Sequence, residues 1–202
     1  MKRIVLMALL ALALPLAAFA TSQVDFSNSG GTLSGSSAGM SLTGSTLISV
    51  NGLGSLGLVT GNLGTLSFST GSLISGNLKH DAMFNGGGSF VITGNGTNGV
   101  PNGVIFNGSF SGPVDWDLQL TSSGKHNYTL TGTVIGTWTS SGSTVEGATT
   151  QLSINFDHGF FKNSTNLAGG ITNIAVPEPG TLGLLGTGLV GLAGALRRKM
   201  KA

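Results

Sequence analysis

Thirty-five of the 202 residues are glycine, and all but six of these lie between Thr21 and Val176. A glycine inside a helix costs roughly 1 kcal/mol relative to alanine, so a body this rich in glycine cannot be built from long helices. Strand and turn remain, and the apolar residues alternate as strands require. Val114, Trp116, Leu118 and Leu120 point one way while Asp115, Asp117, Gln119 and Thr121 point the other, the period of a half-buried strand. From Asn127 to Thr139 the pattern repeats, with Tyr128, Leu130, Val134 and Trp138 on one face and Thr129, Thr131, Thr133 and Thr137 on the other. Ser122 to His126 between the two reads as a hairpin loop.

Further alternating runs fall at Thr65–Thr70, Ser89–Thr93, Val104–Phe110 and Gln151–Phe156. Short strands joined by glycine-rich turns predict an all-β body, an antiparallel β-sandwich or barrel. The first third is looser. Gly31-Thr32-Leu33, Gly54-Ser55-Leu56, Gly64-Thr65-Leu66 and Gly71-Ser72-Leu73 share a small-polar-Leu element, which suggests a β-solenoid as the alternative. Their spacing is irregular, however, whereas stacked rungs need a fixed period. Ser27–Ser45 offers so little to bury that partial disorder is a further expectation there.

The formal charge of +2 misleads, because six of the nine basic residues lie in the terminal segments. Between Thr21 and Val176, Lys79, Lys125 and Lys162 stand against Asp25, Asp81, Asp115, Asp117, Glu146 and Asp157, a balance of 3 − 6 = −3. With no basic cluster, this part is not a nucleic-acid binder. The chain has no cysteine, so no disulfide supplements its packing.

Most motif matches are products of composition. GxGxxG occurs at Gly52-Gly54-Gly57, Gly94-Gly96-Gly99 and Gly186-Gly188-Gly191, and GxSxG at Gly35–Gly39, none in the strand-to-helix setting the chemistry needs. Asp115 and Asp117 share one strand face, about 7 Å apart along the chain, a separation compatible with glycoside hydrolysis. The alternation turns Trp116 to the opposite face, so a solvated acidic face over an inward ring is the preferred reading. His80, His126 and His158 lack zinc-site spacing and read as loop residues; no metal or cofactor is expected. Thr129, Thr131, Thr133 and Thr137 form a row of hydroxyls and methyls suited to polysaccharide or ice, although threonine is also simply a good strand residue.

The two ends carry routing signals. Lys2 and Arg3 precede an apolar run from Ile4 to Leu14, and Ala18-Phe19-Ala20 offers a small-x-small cleavage site, so residues 1–20 read as a signal peptide with a helical apolar stretch. At the other end Pro177-Glu178-Pro179 is followed by an uncharged run, Thr181 to Leu196, and by Arg197-Arg198-Lys199-Met200-Lys201. As a helix, residues 181–196 span roughly 24 Å, slightly less than a hydrocarbon core of about 30 Å. The basic stop at 197–201 keeps that end cytoplasmic by the positive-inside rule. The expected organisation is signal peptide 1–20, β ectodomain 21–175 and sorting tail 176–202.

This tail resembles the PEP-CTERM sorting signal, whose elements are a Pro-Glu-Pro triplet, a short transmembrane helix and a terminal basic cluster. The resemblance covers the tail alone. It implies export in a Gram-negative bacterium, an inner-membrane intermediate, recognition by an exosortase, and association with exopolysaccharide and biofilm; the same tail also goes by the name of an ice-binding protein C-terminal domain. The expected function is a non-enzymatic surface or secreted matrix protein. The alternatives are a secreted glycan-active enzyme and an ice- or polysaccharide-binding adhesin using the threonine face.

Overall fold

The alternation in the sequence becomes a wall that closes on itself. The computed structural model describes residues 22–156 and 159–176. In chain order its strands are β1 (Ser22–Ser29), β2 (Thr32–Ser36), β3 (Gly39–Asn51), β4 (Val59–Ser69), β5 (Leu73–Gly76), β6 (Ala82–Phe84) and β7 (Gly87–Asn95). After a single 3-10 turn, Thr97–Gly99, follow β8 (Asn102–Phe110), β9 (Val114–Leu120), β10 (His126–Trp138), β11 (Thr144–Phe156), β12 (Ser164–Asn166) and β13 (Gly169–Val176).

Eight strands form the ring, in the order β1-β3-β4-β7-β8-β10-β11-β13 and back to β1. The other seven junctions are antiparallel, which leaves β13 and β1 antiparallel as well. An eight-stranded barrel has an interior just wide enough for side chains to fill. Phe26, Phe68, Phe90, Phe106, Phe110 and Trp138 fill one half, with Phe68 and Phe110 edge-to-face at 5.5 Å and Phe106 and Trp138 at 5.8 Å. Trp116, Tyr128 and Phe161 fill the other, Trp116 stacked on Tyr128 at 4.8 Å.

The extra strands arise where the ladder forks. The edge of β10 takes β8 on Val134–Trp138 and β9 on His126–Thr131. Ser111-Gly112-Pro113 separates them, and proline has no amide proton to continue the ladder. Beyond β9 lie β6 and β5, a hairpin inserted between β4 and β7. The edge of β3 is shared in the same way by β1 and β2, split at Gly30 and Gly31, both with positive φ. Leu167 bonds both glycines through its backbone and so joins β12 and β13 into one long partner for them.

The chain enters on β1 and leaves on the neighbouring antiparallel β13, so Ser22 and Val176 lie at the same rim. The opposite rim carries the β2–β3 turn, the loop Asn77–Asp81, the β9–β10 loop and the segment after β11.

Three expectations are corrected. The flanking helices of the expected fold class are not found: the one helical element among the described residues is the 3-10 turn, and no helix there is long and apolar enough to cross a membrane. Glycine and strict alternation disfavour helix throughout this part. Residues 1–20 and 181–196, where those helices were expected, lie outside the described residues. The solenoid alternative fails because the strands close into a ring, and the disorder expected over Ser27–Ser45 is replaced by β1, β2 and β3. That segment buries more than its composition suggests, because Leu33, Met40 and Leu42 all point inward.

Candidate functional site

The outward residues of β10, β11 and β13 stand in register. Thr131 lies opposite Gln151 and Gln151 opposite Ile171; Thr133 opposite Thr149 and Thr149 opposite Asn173; Thr129 opposite Ser153 and Ser153 opposite Gly169. Tyr128, Leu130, Val134 and Trp138 are buried behind them, so the threonine row, Thr137 included, faces outward. This patch of wall carries hydroxyls, amides and the exposed Ile135 and Ile171, and no charge among its described outward side chains. It continues into an open groove of about 420 Å³ bordered by Ser27, Ser29, Ile48, Gln151, Ser153 and Ile171.

Two adjacent glycines shape the groove in different ways. A Cβ on Gly170 would run into Leu152 and sit 2.6 Å from Asn28 Oδ1. Gly169 has no positive φ, and a Cβ there would approach only the Asn28 carbonyl oxygen, at 3.8 Å. Packing therefore demands glycine at 170 but not at 169, where the missing side chain keeps the groove open.

On the other side of β10, Thr131 faces Asp115 and Thr129 faces Asp117. Trp116 between the two acids is fully buried against Tyr128, pointing away from both carboxylates. Asp81 joins them across the β6–β9 pair, where its Oδ1 accepts the Leu118 amide proton at 2.8 Å. Partial burial, then repulsion from Asp115 and Asp81, raises the Asp117 carboxyl above its ordinary value. Leu120, expected to be inward, is exposed because β9 here runs out into its loop.

At the rim away from the chain ends, two loops are fixed by buried aromatic side chains. Trp116 Nε1 donates to the Leu78 carbonyl at 3.1 Å and Tyr128 Oη to the Lys79 carbonyl at 2.7 Å. Phe161, buried against Trp116, donates its amide proton to Tyr128 Oη at 3.3 Å. Burial is the leading cause that raises the Tyr128 phenol pKa, which keeps it a neutral donor. The rings of His80 and His126 flank Phe160, with centroids 5.1 and 4.7 Å away, and His126 Nδ1 lies 2.6 Å from the Gly159 carbonyl oxygen. Sequence spacing gave no sign of this cluster, since its members come from the 77–81 loop, the start of β10 and the segment after β11.

Among the described residues no group of three or more histidines, cysteines or acids could hold a metal ion. His158 lies outside the described residues. So do the expected signal-cleavage residues Ala18 and Ala20, the triplet Pro177, Glu178 and Pro179, and the basic stop Arg197, Arg198 and Lys199. The GxGxxG match at Gly52 falls on the β3–β4 turn and the GxSxG match on the β2–β3 turn, with no helix at either.

No curated protein and no solved structure is significantly similar to the chain. One family model matches, over residues 175–199, and so begins on the last two residues of β13. The chain thus carries a PEP-CTERM protein-sorting motif directly behind its barrel, the mark of a protein sorted to the surface or secreted and recognised by an exosortase-type enzyme.

Proposed function

We propose that the chain is a non-enzymatic component of the extracellular matrix, exported through an inner-membrane stage and associated with exopolysaccharide or biofilm. The sorting motif supports the route. The observation that carries the contact is the hydroxyl- and amide-bearing outer wall: Thr129, Thr131 and Thr133 beside Thr149, Gln151 and Ser153, leading into the groove at Gly169. Side chains on paired strands are held in place before a ligand arrives, which lowers the ordering cost of binding.

The twist of a closed ring favours a flexible sugar chain over an ice lattice, because twisted strands present no extended plane. The enzymatic alternative loses support from the inward Trp116, which leaves Asp115 and Asp117 without a ring to stack a sugar between them. The test is retention of the full chain on neutral polysaccharides. Thr131→Val with Gln151→Val removes the polar groups while keeping good strand residues, and is expected to weaken retention about tenfold, roughly 1.4 kcal/mol, without lowering the thermal midpoint. Undiminished retention, or no retention of the parent protein, overturns the reading.

A further inference from the structure

All three lysines of residues 22–176 lie at the rim away from the chain ends, together with His80 and His126. Lys79 and Lys162 stand on facing loops around an opening of about 600 Å³, bordered otherwise by Asn77, Leu78, Phe161 and Asn163. No acid borders it. The nearest carboxylate in sequence, Asp81, is turned to the Leu118 amide proton. Asn77 Oδ1 accepts the Lys79 amide proton at 3.0 Å, which leaves its amide hydrogens as donors. The frame is rigid: Trp116 and Tyr128 hold one loop, Phe161 anchors the other, and the Gly35 amide proton fixes the Asn163 carbonyl at 2.8 Å. Asn163 itself has φ +86, outside the ordinary range for a residue with a side chain.

We propose that this opening binds acidic polysaccharide, its carboxylates meeting Lys79 and Lys162 and its hydroxyls meeting Asn77 and Asn163. Two exposed ammonium groups hold a single small anion weakly, because water and salt screen them. A chain with a carboxylate on successive sugars engages both at once and gains by effective concentration. Nucleic acid fits less well. The one ring that borders the opening, Phe161, is buried, so it offers bases no face on which to stack. This site is separate from the neutral wall, so either contact can fail without the other.

Binding of the full chain to polygalacturonate, followed by calorimetry at rising salt, tests the proposal. The parent protein is expected to bind, and to bind less as salt rises. Lys79→Glu with Lys162→Glu is expected to weaken binding at least about tenfold, while Lys79→Arg with Lys162→Arg retains it and both variants keep the parent thermal midpoint. The glutamate pair is also expected to leave retention on neutral polysaccharide unchanged, which separates this site from the wall. No binding of polygalacturonate, equal binding by the glutamate pair, or equally tight binding of single-stranded DNA overturns it.

Discussion

Asp117 shows how local surroundings act on one exposed side chain. Its carboxyl is raised by partial burial first and by Asp115 and Asp81 next, so the folded state binds the proton more tightly than the unfolded chain does. Stability therefore falls as pH rises through the interval between the unfolded and the folded pKa, and the penalty is complete above the folded value. Asp117→Asn is expected to melt higher than the parent protein at neutral pH, with the advantage shrinking as pH falls into the carboxylate range and as salt is added. Thermal unfolding of both proteins across pH checks this, and a difference independent of pH would contradict it. Asp115 and Asp117 on one face and Trp116 on the other were legible from alternation alone. The contribution of Asp81 was not, because it comes from a hairpin inserted far away in sequence and brought alongside by the β6–β9 pairing.

Among the elements, β7, β9, β10 and the second halves of β4 and β11 were readable because large apolar residues recur at every second position; in β8 the alternation places Val104 inward, whereas Val104 is exposed and Ile105 and Phe106 are both buried. The early strands hid themselves in two ways. In β3 two outward residues follow one another at Thr43-Gly44 and again at Ile48-Ser49, where the register with its neighbour shifts, so a strict period of two loses the strand. Some inward positions are also polar: Asn28 donates to Ser45 Oγ at 2.7 Å inside the wall, and the Thr150 and Thr172 hydroxyls pair at 2.9 Å. Each pair shares a hydrogen bond, as burial of such groups requires, although Asn28 Oδ1 is left buried without a partner; neither pair announces a core in the sequence. Two loops of the far rim share one hydroxyl, since Tyr128 Oη donates to the Lys79 carbonyl and accepts from the Phe161 amide. Tyr128→Phe is expected to cost about 1–3 kcal/mol and to speed hydrogen exchange in residues 77–81 and 159–163. Unchanged exchange in both loops would show that they are held by something else.

For the molecule as a whole, closure was the feature least visible in the sequence. A sandwich and a barrel share the same strand patterns, and only the pairing of β13 with β1, from opposite ends of the chain, decides between them. That pairing has a consequence for sorting. The wall is complete at Val176 and the matched motif already begins at residue 175, so a cut just beyond the last strand removes nothing the ring needs. It also removes the terminal basic cluster, and once the first 20 residues are gone as well, a barrel of net charge −3 by sequence remains, or −4 where Glu178 is kept. The account predicts that mass spectrometry of the protein recovered from the cell surface or medium finds a C-terminus between Pro177 and Gly180. A mature chain still ending at Ala202 would contradict it.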